Sequence, residues 1–168
     1  MSHAGFTHEN PKNKTIEWYT PTWIFKSLNL VFDLDPCHPV LDILSWIPAH
    51  KVYTKEDDGL SKTWTGNVWL NPPYGLHTKA WLEKLNNHGQ GISLVFARTD
   101  CKWFQDICVK AGGILFLRGR IKFVDLYGKT GKSGAGIGSM LVAWGAENTK
   151  KLHSLRSLGF FVNTKEQG

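Results

Sequence analysis

Cysteine is scarce in this 168-residue chain: Cys37, Cys101 and Cys108 are odd in number, and no two form a Cys-x-x-Cys pair. A disulfide framework and a zinc site of ordinary spacing are therefore not expected. Cys37-His38 offers two ligand types side by side, but nothing near them in sequence completes a set, and no metal is expected. Cys108 falls on the apolar stripe of an expected helix and reads as core. Long apolar runs are also missing, and none approaches the roughly 20 residues that span a bilayer. The opening Met1-Ser2-His3-Ala4-Gly5 lacks the charged-then-apolar order of a secretory signal. A cytoplasmic protein without membrane contact is the expectation.

Acidic residues are the minority, 14 against 20 Lys and Arg, for a formal net charge of +6. That balance favours a polyanionic partner. Its distribution is uneven. Arg98, Lys102, Lys110, Arg118, Arg120, Lys122, Lys129 and Lys132 face only Asp100, Asp106 and Asp125 over the same stretch. Such a segment can be a phosphate-binding surface or a solvated basic face.

What is present is enough apolar material for one real core: 42% hydrophobic residues, with eight Trp and nine Phe. A single domain over residues 1–168 is expected. Residues 1–15 are polar and read as a flexible lead-in. Thr20-Pro21 reads as a helix start, with Thr as N-cap and Pro in the first turn. Ile24, Phe25 and Leu28 would line its buried side. Strands are expected at Val31–Leu34, Lys51–Thr54, Val68–Leu70 and Ile92–Ala97, then at Ile114–Leu117, Ile121–Val124, Met140–Trp144 and Phe160–Val162. Helices are expected at Leu41–Trp46, His77–Asn86, Trp103–Ala111 and Lys150–Leu158. Residues 127–138, rich in Gly, Lys, Ser and Thr, read as a mobile loop. Strands that alternate with helices early and crowd together late imply an α/β three-layer domain, its mostly parallel sheet ending in an antiparallel hairpin.

One strand end carries chemistry. Val68-Trp69-Leu70 runs directly into Asn71-Pro72-Pro73-Tyr74. Adjacent prolines lack N–H groups and have fixed φ, so the ladder stops there. A side-chain amide oxygen, a rigid backbone carbonyl and an aromatic ring are thus gathered beyond a strand end, where open α/β sheets place ligands. The set suits a flat, amino-bearing group such as a nucleobase.

Other segments stand around it in a fixed order: Trp18-Tyr19-Thr20-Pro21, Phe32-Asp33-Leu34-Asp35-Pro36 and Asp58-Gly59-Leu60 before, and Gly119-Arg120-Ile121-Lys122-Phe123 and Met140–Trp144 after. From about Glu17 to Gly145 the chain resembles the phage-type DNA N6-adenine methyltransferases (the Dam family). The resemblance implies a Rossmann-like class I fold that uses S-adenosylmethionine, and DNA as partner. It implies that Asn71, Pro72, Pro73 and Tyr74 form the catalytic motif, and that Tyr74 and Phe123 hold a flipped-out adenine. Trp18, Thr20 and Pro21 match the segment near the methionine end of the cofactor, where a helix N-terminus suits a carboxylate. Asp35 and Pro36 take the position at the end of the first strand, although the Gly-rich loop of larger relatives is lacking. Asp58 matches an acid that accepts from the cofactor's adenine amino group. For the ribose, Glu56 and Asp57 are the nearest acids, and each can equally be a solvated turn carboxylate. Arg118, Arg120, Lys122, Lys129 and Lys132 would meet DNA phosphate. A phage source and a part in restriction–modification are implied in the same way, which would place the protein in the host cytoplasm.

Within this chemistry, hydrogen bonds from adenine N6 to Asn71 and to the Pro72 carbonyl would turn the nitrogen lone pair toward a sulfonium methyl. Three alternatives stay open: methylation of a protein glutamine, methylation of cytosine N4, and a catalytically silent nucleic-acid-binding relative.

Overall fold

The computed structural model describes residues 19–39, 46–125, 128–130 and 135–165. Seven strands form one sheet: β1 (Phe32–Asp35), β2 (Ala49–Val52), β3 (Val68–Leu70), β4 (Gly91–Phe96), β5 (Gly113–Leu117), β6 (Ser139–Trp144) and β7 (Gly159–Asn163). Across the sheet the order is β2-β1-β3-β4-β6-β5-β7. The first four neighbours run parallel, and β6, β5 and β7 extend the sheet antiparallel. The antiparallel part is therefore larger than a closing hairpin.

Among the described residues, four helices cover the two faces: α1 (Thr22–Leu28), α2 (Thr78–His88), α3 (Lys102–Asp106) and α4 (Ala146–Ser154). Alternation along β3 sorts its side chains between two cores. Val68 and Leu70 pack with Trp81, Leu82 and Leu85 of α2 and Phe104 of α3. Trp69, fully buried, packs on the opposite face with Ile24, Phe25 and Leu28 of α1 and Leu152 of α4. The result is the expected three-layer arrangement. Helix α2 stops where Gly89 takes φ 80°, a left-handed cap whose N–H donates to the Leu85 carbonyl. Among the described residues, no helix is long and apolar enough to cross a membrane.

Five expectations change. The strand expected at Lys51–Thr54 lies two residues earlier, at Ala49–Val52, and Thr54 caps a 3₁₀ turn instead. Residues 121–124 form no strand: Val124 makes only isolated bridges, to Tyr19 and Thr130. Gly119, at φ 77°, turns the chain away after β5. Ile121 and Val124 then bury at a spacing of three, while a strand would bury alternate residues. The helix expected over Trp103–Ala111 is broken into α3 and a 3₁₀ turn at Cys108–Lys110. The last helix starts earlier than Lys150, at Ala146, and its C-terminal part is a 3₁₀ turn at Arg156–Leu158. Finally, Pro21 and not Thr20 is the cap residue of α1, and no side chain caps that end. The Thr20 hydroxyl is engaged elsewhere. Most of the helix expected at Leu41–Trp46 lies outside the described residues, as do residues 1–15 and much of the 127–138 loop.

This topology fixes where a ligand can sit. Strand β1 has β2 on one side and β3 on the other, so the connections leaving β1 and β3 part in opposite directions. Such a switch point opens a crevice beyond the carboxyl ends of the parallel strands. Asp35 ends β1 and Asn71 follows β3, one on each side of it.

Candidate active site

The Asn71–Tyr74 turn is held at both of its ends. At its start, Asn71 Nδ2 donates to the Thr20 hydroxyl at 3.3 Å. Thr20 is fully buried, and its carbonyl accepts from Trp46 Nε1 at 2.7 Å. Beside it, Tyr19 and Val124 exchange both backbone hydrogen bonds, at 2.8 and 3.1 Å. At the turn's far end, buried Thr78 donates its hydroxyl to the Pro73 carbonyl at 2.9 Å and accepts from Gly75 N–H at 3.1 Å. Pro72 is buried and Asn71 half-buried, while Pro73 and Tyr74 are exposed.

Because Thr20 takes the nitrogen side of the Asn71 amide, its oxygen is left facing the Tyr74 side. There the Tyr74 hydroxyl donates to Asn71 Oδ1 at 3.3 Å. A carbonyl oxygen has two lone pairs, so a second donor can be accepted at the same atom. Burial of its hydroxyl end raises the Tyr74 pKa above the ordinary tyrosine range, although 41% of the residue is exposed. Its ring lies flat on Phe96, with centroids 3.9 Å apart and planes within 16°. Phe96 in turn meets Phe123 edge to face at 6.5 Å and 90°. Tyr74 and Phe123 thus belong to one aromatic group, with Phe96 as its middle member.

Phe96 is the site residue that sequence reasoning missed. The available signal was positional: it ends β4, the parallel neighbour of the strand that carries Asn71. The Thr20–Asn71 contact joins segments 51 residues apart and leaves no local pattern.

On the β1 side of the crevice the acids divide into two kinds. Asp35 is buried, accepts from His38 Nδ1 at 2.8 Å and from Cys37 N–H at 3.1 Å, and has its carboxyl pKa raised, chiefly by burial. The same burial, with the Asp35 charge nearby, pushes the Cys37 thiol up to about 12. Asp35 therefore ties its own loop together and does not present an open carboxylate. Asp57 completes a capping box, accepting from Thr54 N–H at 2.8 Å, and Glu56 accepts from the Thr54 hydroxyl at 2.8 Å. Both are turn carboxylates, held below their usual pKa range first of all by these hydrogen bonds.

Asp58 differs from these three. It is exposed, in a left-handed conformation at φ 51°, and its backbone carbonyl accepts from Ser61. The next residue explains its place. A Cβ on Gly59 would lie 2.0 Å from the Pro36 carbonyl oxygen, so only glycine lets this loop rest against the end of β1.

The basic residues form a different surface. Arg118, Arg120, Lys122 and Lys129 are all exposed, and all lie on the segment that carries Phe123. Arg120 also donates to the Ala135 carbonyl at 3.0 Å. Trp18 and Lys132 lie outside the described residues. Among those described, no group of three or more His, Cys, Asp and Glu could hold a metal ion.

A family model described as DNA N-6-adenine-methyltransferase (Dam) matches residues 7–166, nearly the whole chain. The protein belongs to the Dam family. No curated protein and no solved structure gave a match. Membership in this family implies a DNA methyltransferase, and its turn of Asn71, two prolines and Tyr74 stands at the sheet's switch point.

Proposed function

We propose that this Dam-family protein transfers a methyl group from S-adenosylmethionine to the N6 amine of an adenine swung out of DNA, on a Rossmann-like class I fold. One observation carries the reading. The Asn71 amide is held through its nitrogen by Thr20, which leaves its oxygen beside the Tyr74–Phe96 stack.

The residues at the strand ends fit the cofactor: Gly59 rests against Pro36 at the end of β1, and the exposed Asp58 beside it is free of the side-chain bonds that engage Asp35, Glu56 and Asp57. Asp58 would accept from the adenine amino group of the cofactor, with Pro36, Thr20 and Pro21 lining its other end. Asp35 supports this loop from beneath through His38. When bound, S-adenosylmethionine supplies a methyl on a sulfonium sulfur.

The protein's own part is positioning and charge stabilisation. The N6 amine is a weak nucleophile, because its lone pair is delocalised into the ring. Asn71 Oδ1 and the Pro72 carbonyl would each accept one of its N–H groups and localise that pair. Both acceptors are fixed in advance, the amide by Thr20 and the carbonyl by the two prolines, so little reorganisation accompanies the positive charge developing on nitrogen. Tyr74, braced from behind by Phe96, offers a flat platform for the base, and Phe123 closes the aromatic group. Swinging a base out of duplex DNA costs a few kcal/mol. Contacts from Arg118, Arg120, Lys122 and Lys129 to phosphate would offset part of that cost.

The test is transfer of tritiated methyl from S-adenosylmethionine to DNA, followed by digestion to nucleosides. Label should appear in N6-methyl-2′-deoxyadenosine and fall at least about a hundredfold in Asn71→Ala. Label in a cytosine or in protein, or transfer indifferent to Asn71→Ala, would defeat the proposal.

A further inference from the structure

Leu76 is 97% exposed, the most exposed large apolar residue described, and it stands two positions after Tyr74. Scattered surface leucines are ordinary, but the setting of this one is not. The chain leading into it is tied back twice to Thr78, through the Pro73 carbonyl and the Gly75 N–H. Gly75 itself adopts φ 120°, and a Cβ there would meet no described atom within 4 Å. A fastened base therefore carries a tip that projects clear of the described residues, with an apolar side chain at its end. The next residue, His77, is exposed. So is Lys79 one turn on, in a surface pair with Glu83 at 3.4 Å.

We propose that Leu76 is a wedge that enters duplex DNA and fills the gap left when the target adenine is swung out. The proposal rests on the flipped-base reading above and adds a residue to it. Two residues of chain reach about 7 Å at most, so a side chain at position 76 is tied closely to whatever lies on the Tyr74 ring. A base seated on that ring leaves a hole in the stack nearby. Apolar side chains, leucine among them, are the groups that proteins insert between base steps. Leucine offers no hydrogen bond to the orphaned thymine, so its contribution is burial of its own surface and exclusion of water from the hole. Full exposure in the free protein means that this burial is gained only on DNA.

The test is binding, measured by fluorescence anisotropy, to a duplex containing one abasic position and to the same duplex intact. The abasic duplex presents the hole already made. Wild type should prefer it by roughly tenfold, the gain expected for burying a leucine. Leu76→Ala and Leu76→Ser should lose the preference, and Leu76→Met should keep it. Equal preference in wild type and Leu76→Ala, or none in wild type, overturns the proposal. So does self-association of the wild type that vanishes in Leu76→Ala with DNA binding unchanged, which would assign the leucine to contact between copies. Failure of the adenine-methylation reading reads differently: the preference for the abasic duplex would persist while no methyl reached DNA. A substitution at so exposed a side chain leaves the fold intact.

Discussion

Thr20 and Asn71 are joined by one hydrogen bond, Nδ2 donating to Oγ1 at 3.3 Å, and that bond decides which end of the Asn71 amide faces the aromatic stack. A Thr20→Val substitution keeps the buried shape and removes the acceptor. The turnover rate for methyl transfer should then fall roughly ten- to a hundredfold, while affinity for S-adenosylmethionine changes little. Thr20→Ser should restore the rate. Equilibrium dialysis and single-turnover kinetics separate the two quantities. A loss confined to cofactor affinity would mean that the Thr20 hydroxyl serves the cofactor lining alone and does not position Asn71.

The acids beside the crevice should separate by what they lose. Asp58→Ala removes an exposed carboxylate and should weaken S-adenosylmethionine binding by roughly tenfold or more, the scale of a charged hydrogen bond, with little change in melting temperature. Asp35→Ala leaves His38 Nδ1 and the Cys37 N–H without their acceptor in a buried place. It should cost about 1–3 kcal/mol of stability. Calorimetry of both variants with and without cofactor checks the pair, and an unaltered melting temperature in Asp35→Ala would contradict its supporting role.

Thr54 lowers the pKa values of Asp57 and Glu56 by hydrogen-bonding to them. A carboxylate with a depressed folded pKa adds stability above its unfolded pKa and loses it as pH falls through the folded value. The stability difference between wild type and Thr54→Ala should therefore be full at neutral pH and shrink below about pH 4, where these acids protonate. Urea melts at pH 7 and pH 3.5 test this, and a gap that widens on acidification would refute the capping role.

Phe96 should act through Tyr74. A double-mutant cycle of Phe96→Leu and Tyr74→Leu should show a coupling of about 0.5–1.5 kcal/mol in stability, the usual worth of a packed aromatic pair. Phe96→Leu alone should lower the rate of methyl transfer while leaving phosphate-driven DNA affinity near its original value. Additive effects in the cycle would mean that the stack contributes nothing beyond burial.

Much of the candidate site was legible in the sequence because its residue types are grouped locally. Asn71 to Tyr74 ends β3 where the two prolines require it, and the resemblance assigned the flanking segments. Strands β3 and β4 were read to within a residue because each is a short apolar run buried on both faces. Residues 121–124 were misread because an apolar-polar-aromatic-apolar run looks like a strand, and only the turn at Gly119 with the bridge to Tyr19 shows otherwise. Asp35 is expected near the cofactor from its place at a strand end, and what its neighbourhood in sequence does not show is the burial that goes with its bond to His38. Thr20 had the residue type of a helix cap, yet its hydroxyl is claimed by a side chain from another strand. The readings of 121–124 and of Thr20 as a cap were changed by partners distant in the chain, Tyr19 and Asn71.

The paired backbone of Tyr19 and Val124 has a consequence for how the protein comes to be active. It closes a loop of more than a hundred residues, and the amide at position 71 and the ring at position 123 are aligned only after that closure. Contacts of such long range form late in folding, since their entropy must be met before they return anything. A chain emerging from the ribosome would then display its Asn71–Tyr74 turn early and gain the full site geometry only near the end. Recovery of methyl transfer on refolding should follow the slowest cooperative phase, so that a half-folded enzyme is a silent one.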